Sequence, residues 1–238
     1  SAWYMNSNRE LPMLTTDYGE NTDFDNRQRE HTFRGVVSWE HFRRNWKVGA
    51  KGGYIHTWLA YDYKRDVGNG VMMSMTRSRS RVHTAYASVE GEYHIDKKLF
   101  VEAKLSLHQH FVRSEDKNII LQDGDRAIVG YNTARAELSA MVSARYRPHE
   151  RVGIGATLRE EAYGRSWSLP IPALFFDATL SQKGNLVFRA SASRNCRYPS
   201  LNDMYFLPGG NPDLKEERGF TYDAGVSFAV GKSDVYKL

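Results

Sequence analysis

The chain has 238 residues, 41% of them hydrophobic and 26% charged, with a formal net charge of +5, a single cysteine (Cys196) and aromatic side chains at 13%. This composition excludes a disordered segment, an intrachain disulfide and a cysteine-based zinc site, and its modest, dispersed charge excludes a nucleic-acid partner. No stretch approaches the ~18 consecutive apolar residues of a membrane helix, but low mean hydropathy does not exclude a β-barrel, whose alternating strands average to neutral.

In chain order, Trp39 and Trp46 are expected to flank a short turn, and the polar stretch from Asp66 to Ser80 reads as a long connection. The cluster Arg77-Ser78-Arg79-Ser80-Arg81 falls inside it and reads as a solvated loop. Then alternation begins. Ala85, Ala87, Val89, Gly91, Tyr93 and Ile95 interleave with Tyr86, Ser88, Glu90, Glu92 and His94. A short turn at Asp96-Lys97-Lys98 leads to Leu99, Val101, Ala103, Leu105 and Leu107, interleaved with Glu102, Lys104, Ser106 and His108. A period of two puts these sets on opposite faces of a strand. His108 and His110 share a face; no third ligand is evident, so they read as polar lining and not as a metal site.

After a long connection from Ser114 to Ala127, the pattern resumes from Tyr131 to Tyr146 without a break. That run far exceeds the ~5–6 residues of an ordinary strand. Short turns follow at Pro148-His149-Glu150, Gln182-Lys183-Gly184 and Gly231-Lys232-Ser233. A long connection from Asn195 to Arg218 lies between strands led by Phe188 and by Phe220. Tyr93, Phe100, Tyr146 and Phe228 lie close to short turns, where amphipathic rings form a girdle at the headgroups.

The fold expected is therefore all-β: an antiparallel, up-and-down transmembrane β-barrel segment of about ten long strands, with alternating short turns and long loops. No convincing helix is expected. The alternative is a soluble β-sandwich or barrel that binds sugar or lipid, in which the apolar rows would point inward.

One segment is more specific. Arg194-Asn195-Cys196-Arg197-Tyr198-Pro199 is followed by an aromatic stretch through Tyr205-Phe206 and by Asn211-Pro212-Asp213-Leu214-Lys215-Glu216-Glu217. Its prolines leave the sheet, and Pro208-Gly209-Gly210-Asn211-Pro212 is dense in turn residues. This resembles the barrel signature of TonB-dependent outer-membrane receptors, in which an aromatic-Arg-x-Pro box precedes an Asn-Pro-x-Leu-Lys-Pro-Glu box. The close match covers about forty residues, with two departures: Glu216 replaces the family's second proline, and Cys196 stands where Phe is common.

The resemblance implies a bacterial outer-membrane receptor that binds a scarce large solute, a ferric siderophore or cobalamin, and imports it with energy from TonB. Haem is not expected, since the His common between the boxes of haem receptors is missing. It implies as partners the outer-membrane lipid and TonB acting through a plug domain; a surface lipoprotein is left open. Arg197, Pro199, Asn211, Pro212, Leu214 and Glu217 are expected to be structural, with Arg197, Asp203, Lys215 and Glu217 tying the loop to the rim. Tyr198, Asn202, Tyr205 and Phe206 are expected to contact the solute, because rings and amides suit a large polar ligand. Residues 1–238 are expected to be an internal part of the 22-stranded barrel, without plug domain or closing strand; whether it closes, stays open or self-associates is left open.

An enzyme is not expected. A barrel hydrolase would need a nucleophile, a His and a third group at the mouth. His83, His94, His108, Asp96 and Asp177 are available, but nothing joins them at readable spacing. Glu90/Glu92 read as lumen polarity and Glu160/Glu161 as a strand end, not as acid–base pairs.

Overall fold

The computed structural model describes residues 1–12, 23–117, 129–181, 186–206 and 209–229. Its strands are β1 (Ala2–Glu10), β2 (Phe24–Phe42), β3 (Trp46–Asp66), β4 (Met72–His94), β5 (Leu99–Asp116), β6 (Val129–His149), β7 (Val152–Tyr163), β8 (Ser166–Trp167), β9 (Ile171–Thr179), β10 (Leu186–Arg197) and β11 (Glu217–Phe228). One helical turn, α1 (Leu201–Tyr205), lies between the last two strands. The strands form a single antiparallel sheet in chain order, and only the two-residue β8 lies off the path, paired with β7. Among the described residues β1 and β11 do not pair, so the sheet is open. Among the described residues no second sheet faces it, unlike the two packed layers of a sandwich.

The side-chain environments are inverted relative to a soluble domain. Along β4 to β7 the aliphatic row is the exposed one: Leu105 is 52% and Val142 is 54% exposed, and Val89, Leu107, Ile154 and Leu158 are exposed as well. The interleaved polar row is partly covered. Cross-strand register places Val89 against Leu105 and Leu105 against Ala140, so the apolar surface is continuous from strand to strand. In water this would be a large liability; in acyl chains each Val or Leu gains about 1.5–3 kcal/mol relative to water. The polar row faces the lumen, since the β10–β11 loop folds onto that side.

Aromatic side chains bound the aliphatic zone. At the short-turn end Trp39, Trp46, Tyr93 and Tyr146 are exposed; toward the other end so are Phe33, Tyr54 and Phe111. On β3 the interval from Trp46 to Tyr54 is nine residues, matching the ~9–11 that a tilted strand needs to cross the hydrocarbon. Phe100 is the exception to the expected girdle: it pairs with Arg145 on the lumenal face and packs on His94 at 4.9 Å.

Other expectations need correction. The connection expected from Asp66 to Ser80 is much shorter, because β4 begins at Met72. Arg77, Arg79 and Arg81 themselves alternate with Thr76, Ser78 and Ser80, so the arginine cluster is strand and not loop. The actual turn is compact: Gly68, Asn69 and Gly70 all take positive φ, and Asp66 Oδ1 accepts from the Gly68 N–H at 2.8 Å. Strands β5 and β10 also run on, to Asp116 and Arg197. The turn at 96–98 is as expected, with Asp96 Oδ1 accepting from the backbone N–H groups of Lys98 (2.6 Å) and Leu99 (2.8 Å). The turns expected at 182–184 and 231–233 lie outside the described residues.

Candidate functional site

The site is built on the loop between β10 and β11. Ser200 ends the extended backbone and caps α1: its hydroxyl accepts from the Asp203 N–H at 3.1 Å, while Asp203 Oδ2 accepts from the Ser200 N–H at 3.0 Å. This reciprocal box explains the helical turn, which sequence periodicity could not show in five residues. The two Ser200 bonds hold the Asp203 carboxyl below its ordinary range.

Past α1 the chain folds back on itself. The Gly210 N–H donates to the Phe206 carbonyl, and the Asn211 N–H donates to the Asp203 carbonyl at 3.0 Å. A Cβ at Gly210 would sit 2.5 Å from the Phe206 oxygen, so no other residue fits without moving backbone. Asn211 Oδ1 then accepts from the Asp213 N–H at 2.9 Å, an Asx turn that starts the return to the sheet.

The loop leans onto the lumenal row of β6 and the end of β7. Arg135 Nη1 donates to the Pro199 carbonyl at 2.7 Å. Tyr131 donates to Asn202 Oδ1 at 3.5 Å, and its ring lies 6.0 Å from that of Tyr205. Tyr198 packs on Tyr163 with ring centroids 3.8 Å apart. The Tyr198 hydroxyl is buried, and burial pushes its phenol well above the ordinary value.

Glu216, at the departure from the family motif, is largely covered. It accepts from Arg218 Nε at 2.9 Å and from the Tyr163 hydroxyl at 3.4 Å. The bond to Arg218 holds its carboxyl below the ordinary range. The Arg197–Glu217 pair is 3.7 Å long with both side chains 77% exposed, so it adds little.

Of the four residues expected to meet a solute, Asn202 and Phe206 are exposed on the loop, Tyr205 is half-covered beside Tyr131, and Tyr198 is packed at the loop's base. Of the six structural residues, Pro199 supplies a carbonyl to the wall and Asn211 supplies the turn; Pro212 and Leu214 are exposed.

Sequence reasoning missed the wall side of this contact. Arg135 is the hub: its Nε donates to Glu137 Oε1 at 2.8 Å, and Glu137 Oε2 lies 3.5 Å from His110 Nε2. His110 Nδ1 in turn lies 2.9 Å from Thr84 Oγ1. A polar chain thus runs from β4 through β5 and β6 to the loop. The alternation located these residues on the lumenal face, but one sequence carries no signal for which of them meets the loop. His108 and His110 lie on that same face, their rings stacked 6.1 Å apart. The carboxylates considered for acid–base work are engaged or separated: Glu90 is 3.6 Å from Lys104, Glu92 is 3.6 Å from Lys47, and Glu160 and Glu161 lie on opposite faces of β7.

Outward aliphatic rows, a polar lumen and a loop folded onto the inner wall define a transmembrane β-barrel wall of the bacterial outer membrane. The chain belongs to the TonB-dependent receptor-like β-barrel family, whose model matches residues 2–236. Similar solved structures include the copper transporter OprC, with 12% identity and a TM-score of 0.63 over 90% of this chain and 38% of that one. The ferric yersiniabactin uptake receptor FyuA from Yersinia pestis matches with 11% identity and a TM-score of 0.61 over 89% of this chain and 35% of its own. The siderophore receptor PirA from Pseudomonas aeruginosa matches with 12% identity and a TM-score of 0.53, over 97% and 50% of the respective chains. The chain therefore spans half or less of the length of these structures. No curated protein sequence matches it.

Proposed function

We propose that this chain is an arc of a larger barrel whose lumenal loop captures a scarce large solute, a ferric siderophore or cobalamin. Import is then driven by TonB acting through a plug domain, and the chain carries no enzymatic activity. One observation carries the reading. The Tyr198–Glu216 loop is pinned to the inner wall through Arg135, Tyr131 and Tyr163, while Asn202 and Phe206 remain exposed on it. A pinned loop presenting an amide and a ring is preorganised for a large polar ligand. Two of the similar structures are named for ferric yersiniabactin and siderophore uptake, which favours an iron chelate. A surface lipoprotein partner remains open to test by co-purification.

The test is a binding titration of the full-length receptor in detergent with hydroxamate and catecholate ferric siderophores and with cyanocobalamin. One of these is expected to bind, with affinity falling at least tenfold in an Asn202→Ala/Phe206→Ala double variant. Absence of binding by every member of the panel, or unchanged affinity in the variant, would remove the proposal.

A further inference from the structure

The outward face carries a second concentrated feature, far from the lumenal loop. At the long-loop end of β2, β3 and β4, the cations Arg27, Arg29, Lys64, Arg77 and Arg79 surround a cleft of about 410 Å³ that is lined, among the described residues, by the carboxylates Asp25 and Asp62. Asp25 pairs with Arg27 and Lys64, and Glu10 lies 3.5 Å from Arg27 at the edge, which leaves cations in excess. Asp62 is shared by three guanidiniums: Arg79 at 2.9 Å, Arg29 at 3.1 Å and Arg77 at 4.0 Å. One carboxylate neutralises one of them. Arg29 and Arg77 remain half exposed, at 50% and 56%.

The face is fixed by parity. From Arg77 to Val89 the β4 register with β3 is unbroken, so Arg77 and Arg79 lie on the same side as Ala87 and Val89. The cleft thus opens toward lipid and not into the lumen. Between it and the aliphatic zone lies a band of amphipathic rings. Tyr54 Oη is 2.5 Å from His83 Nδ1, and His83 Nδ1 is 3.2 Å from His56 Nδ1. Such rings mark the headgroup level. In an outer-membrane barrel the long-loop end is the external one, so the cleft sits among the headgroups of the outer leaflet.

We infer that this cleft binds the phosphate groups of a phosphorylated glycolipid of the outer leaflet. A phosphate monoester carries about −1.5 to −2 at neutral pH, which complements the excess of guanidinium. Arginine forks match its oxygens in paired hydrogen bonds. At the floor of the cleft Arg79 and Asp62 are partly covered, which limits screening by salt there. The acyl chains of the same lipid would pass the ring band at Phe33 and lie along Ala87 and Val89 beyond it.

The experiment uses the full-length receptor in mild detergent, with native mass spectrometry of bound lipid. Bisphosphorylated lipid A is expected to be retained at least tenfold more than its dephosphorylated form; this comparison requires no variant. An Arg29→Gln/Arg77→Gln variant is expected to lose that preference, while Arg145→Gln, on the lumenal face, keeps it. Heat-dependent gel mobility checks that each variant is folded. Inorganic phosphate at 50 mM is expected to leave the lipid bound. Equal retention of the two lipids, or full displacement by inorganic phosphate, overturns the inference.

Discussion

Arg135 and Pro199, 64 residues apart in sequence, meet through a 2.7 Å hydrogen bond that joins the barrel wall to the loop. Arg135 is only 14% exposed, and its Nε and Nη2 both donate to Glu137. Replacing it with Met leaves a carbonyl unpaired and a carboxylate without its cation. A hydrogen bond to a charged group contributes about 1.5–3 kcal/mol. Arg135→Met is therefore expected to raise hydrogen exchange across residues 199–206 by one to two orders of magnitude while strand β6 stays protected. Unchanged exchange in the loop would show that the bond is incidental.

Gly210 tests the same loop from within. Its missing Cβ is what allows the Phe206 backbone to approach. Gly210→Ala forces a backbone shift of the kind that costs about 1–3 kcal/mol. Faster protease nicking between 206 and 216, with unaltered barrel stability, is the expected result. A wild-type nicking rate would mean that the loop relaxes without cost.

The orientation of the wall is tested by a pair of neighbours. Val142 faces outward at 54% exposure, and Ser143 faces the lumen beside Thr157, 3.1 Å away. Val142→Arg places a charge in acyl chains, at a cost of about 2–4 kcal/mol near the midplane. Ser143→Arg enters a polar lumen and is expected to cost far less. Urea titration of folding into lipid vesicles measures both. If Ser143→Arg proves the more damaging, the faces are assigned the wrong way round.

The α1 cap carries a pH dependence of known sign. Asp203 has its folded pKa lowered by the Ser200 bonds. A lowered carboxyl contributes order that is complete above the unfolded value, about 3.9, and is lost as pH falls through the folded value. Exchange in residues 201–206, corrected for intrinsic rates, is expected to be flat from pH 7 to 5 and to rise below pH 4. Asp203→Asn removes the titrating group and should remove the rise. A rise that persists in Asp203→Asn would place the titration elsewhere.

Much of the wall was legible in the sequence because a barrel strand is a local object. Each residue from Ala85 to Tyr93 or from Tyr131 to Tyr146 reports its face by parity, and no distant contact is needed to read it. The arginines of β4 were misread because charge was taken as a loop signal, although Arg77 to Arg81 keep the same period of two. Strands β1 to β3 were harder, since Gly52 and Gly53, His31 and His56 blur the contrast between faces. The site was legible only on one side. The loop announces itself by prolines and glycines, whereas Arg135, Tyr131 and Tyr163 are ordinary strand residues until the fold brings the loop to them. α1 was missed because a single capped turn is too short for any periodicity.

Glu216 has a physiological corollary. A proline at this point would stiffen the loop's exit covalently and under all conditions. A carboxylate clasping Arg218 and Tyr163 instead makes that stiffness an electrostatic property. With Arg218 half exposed, mobile ions can reach the clasp and loosen it. The suppleness of the mouth thereby becomes a function of the salinity outside the cell, tight in dilute water and slacker in brine.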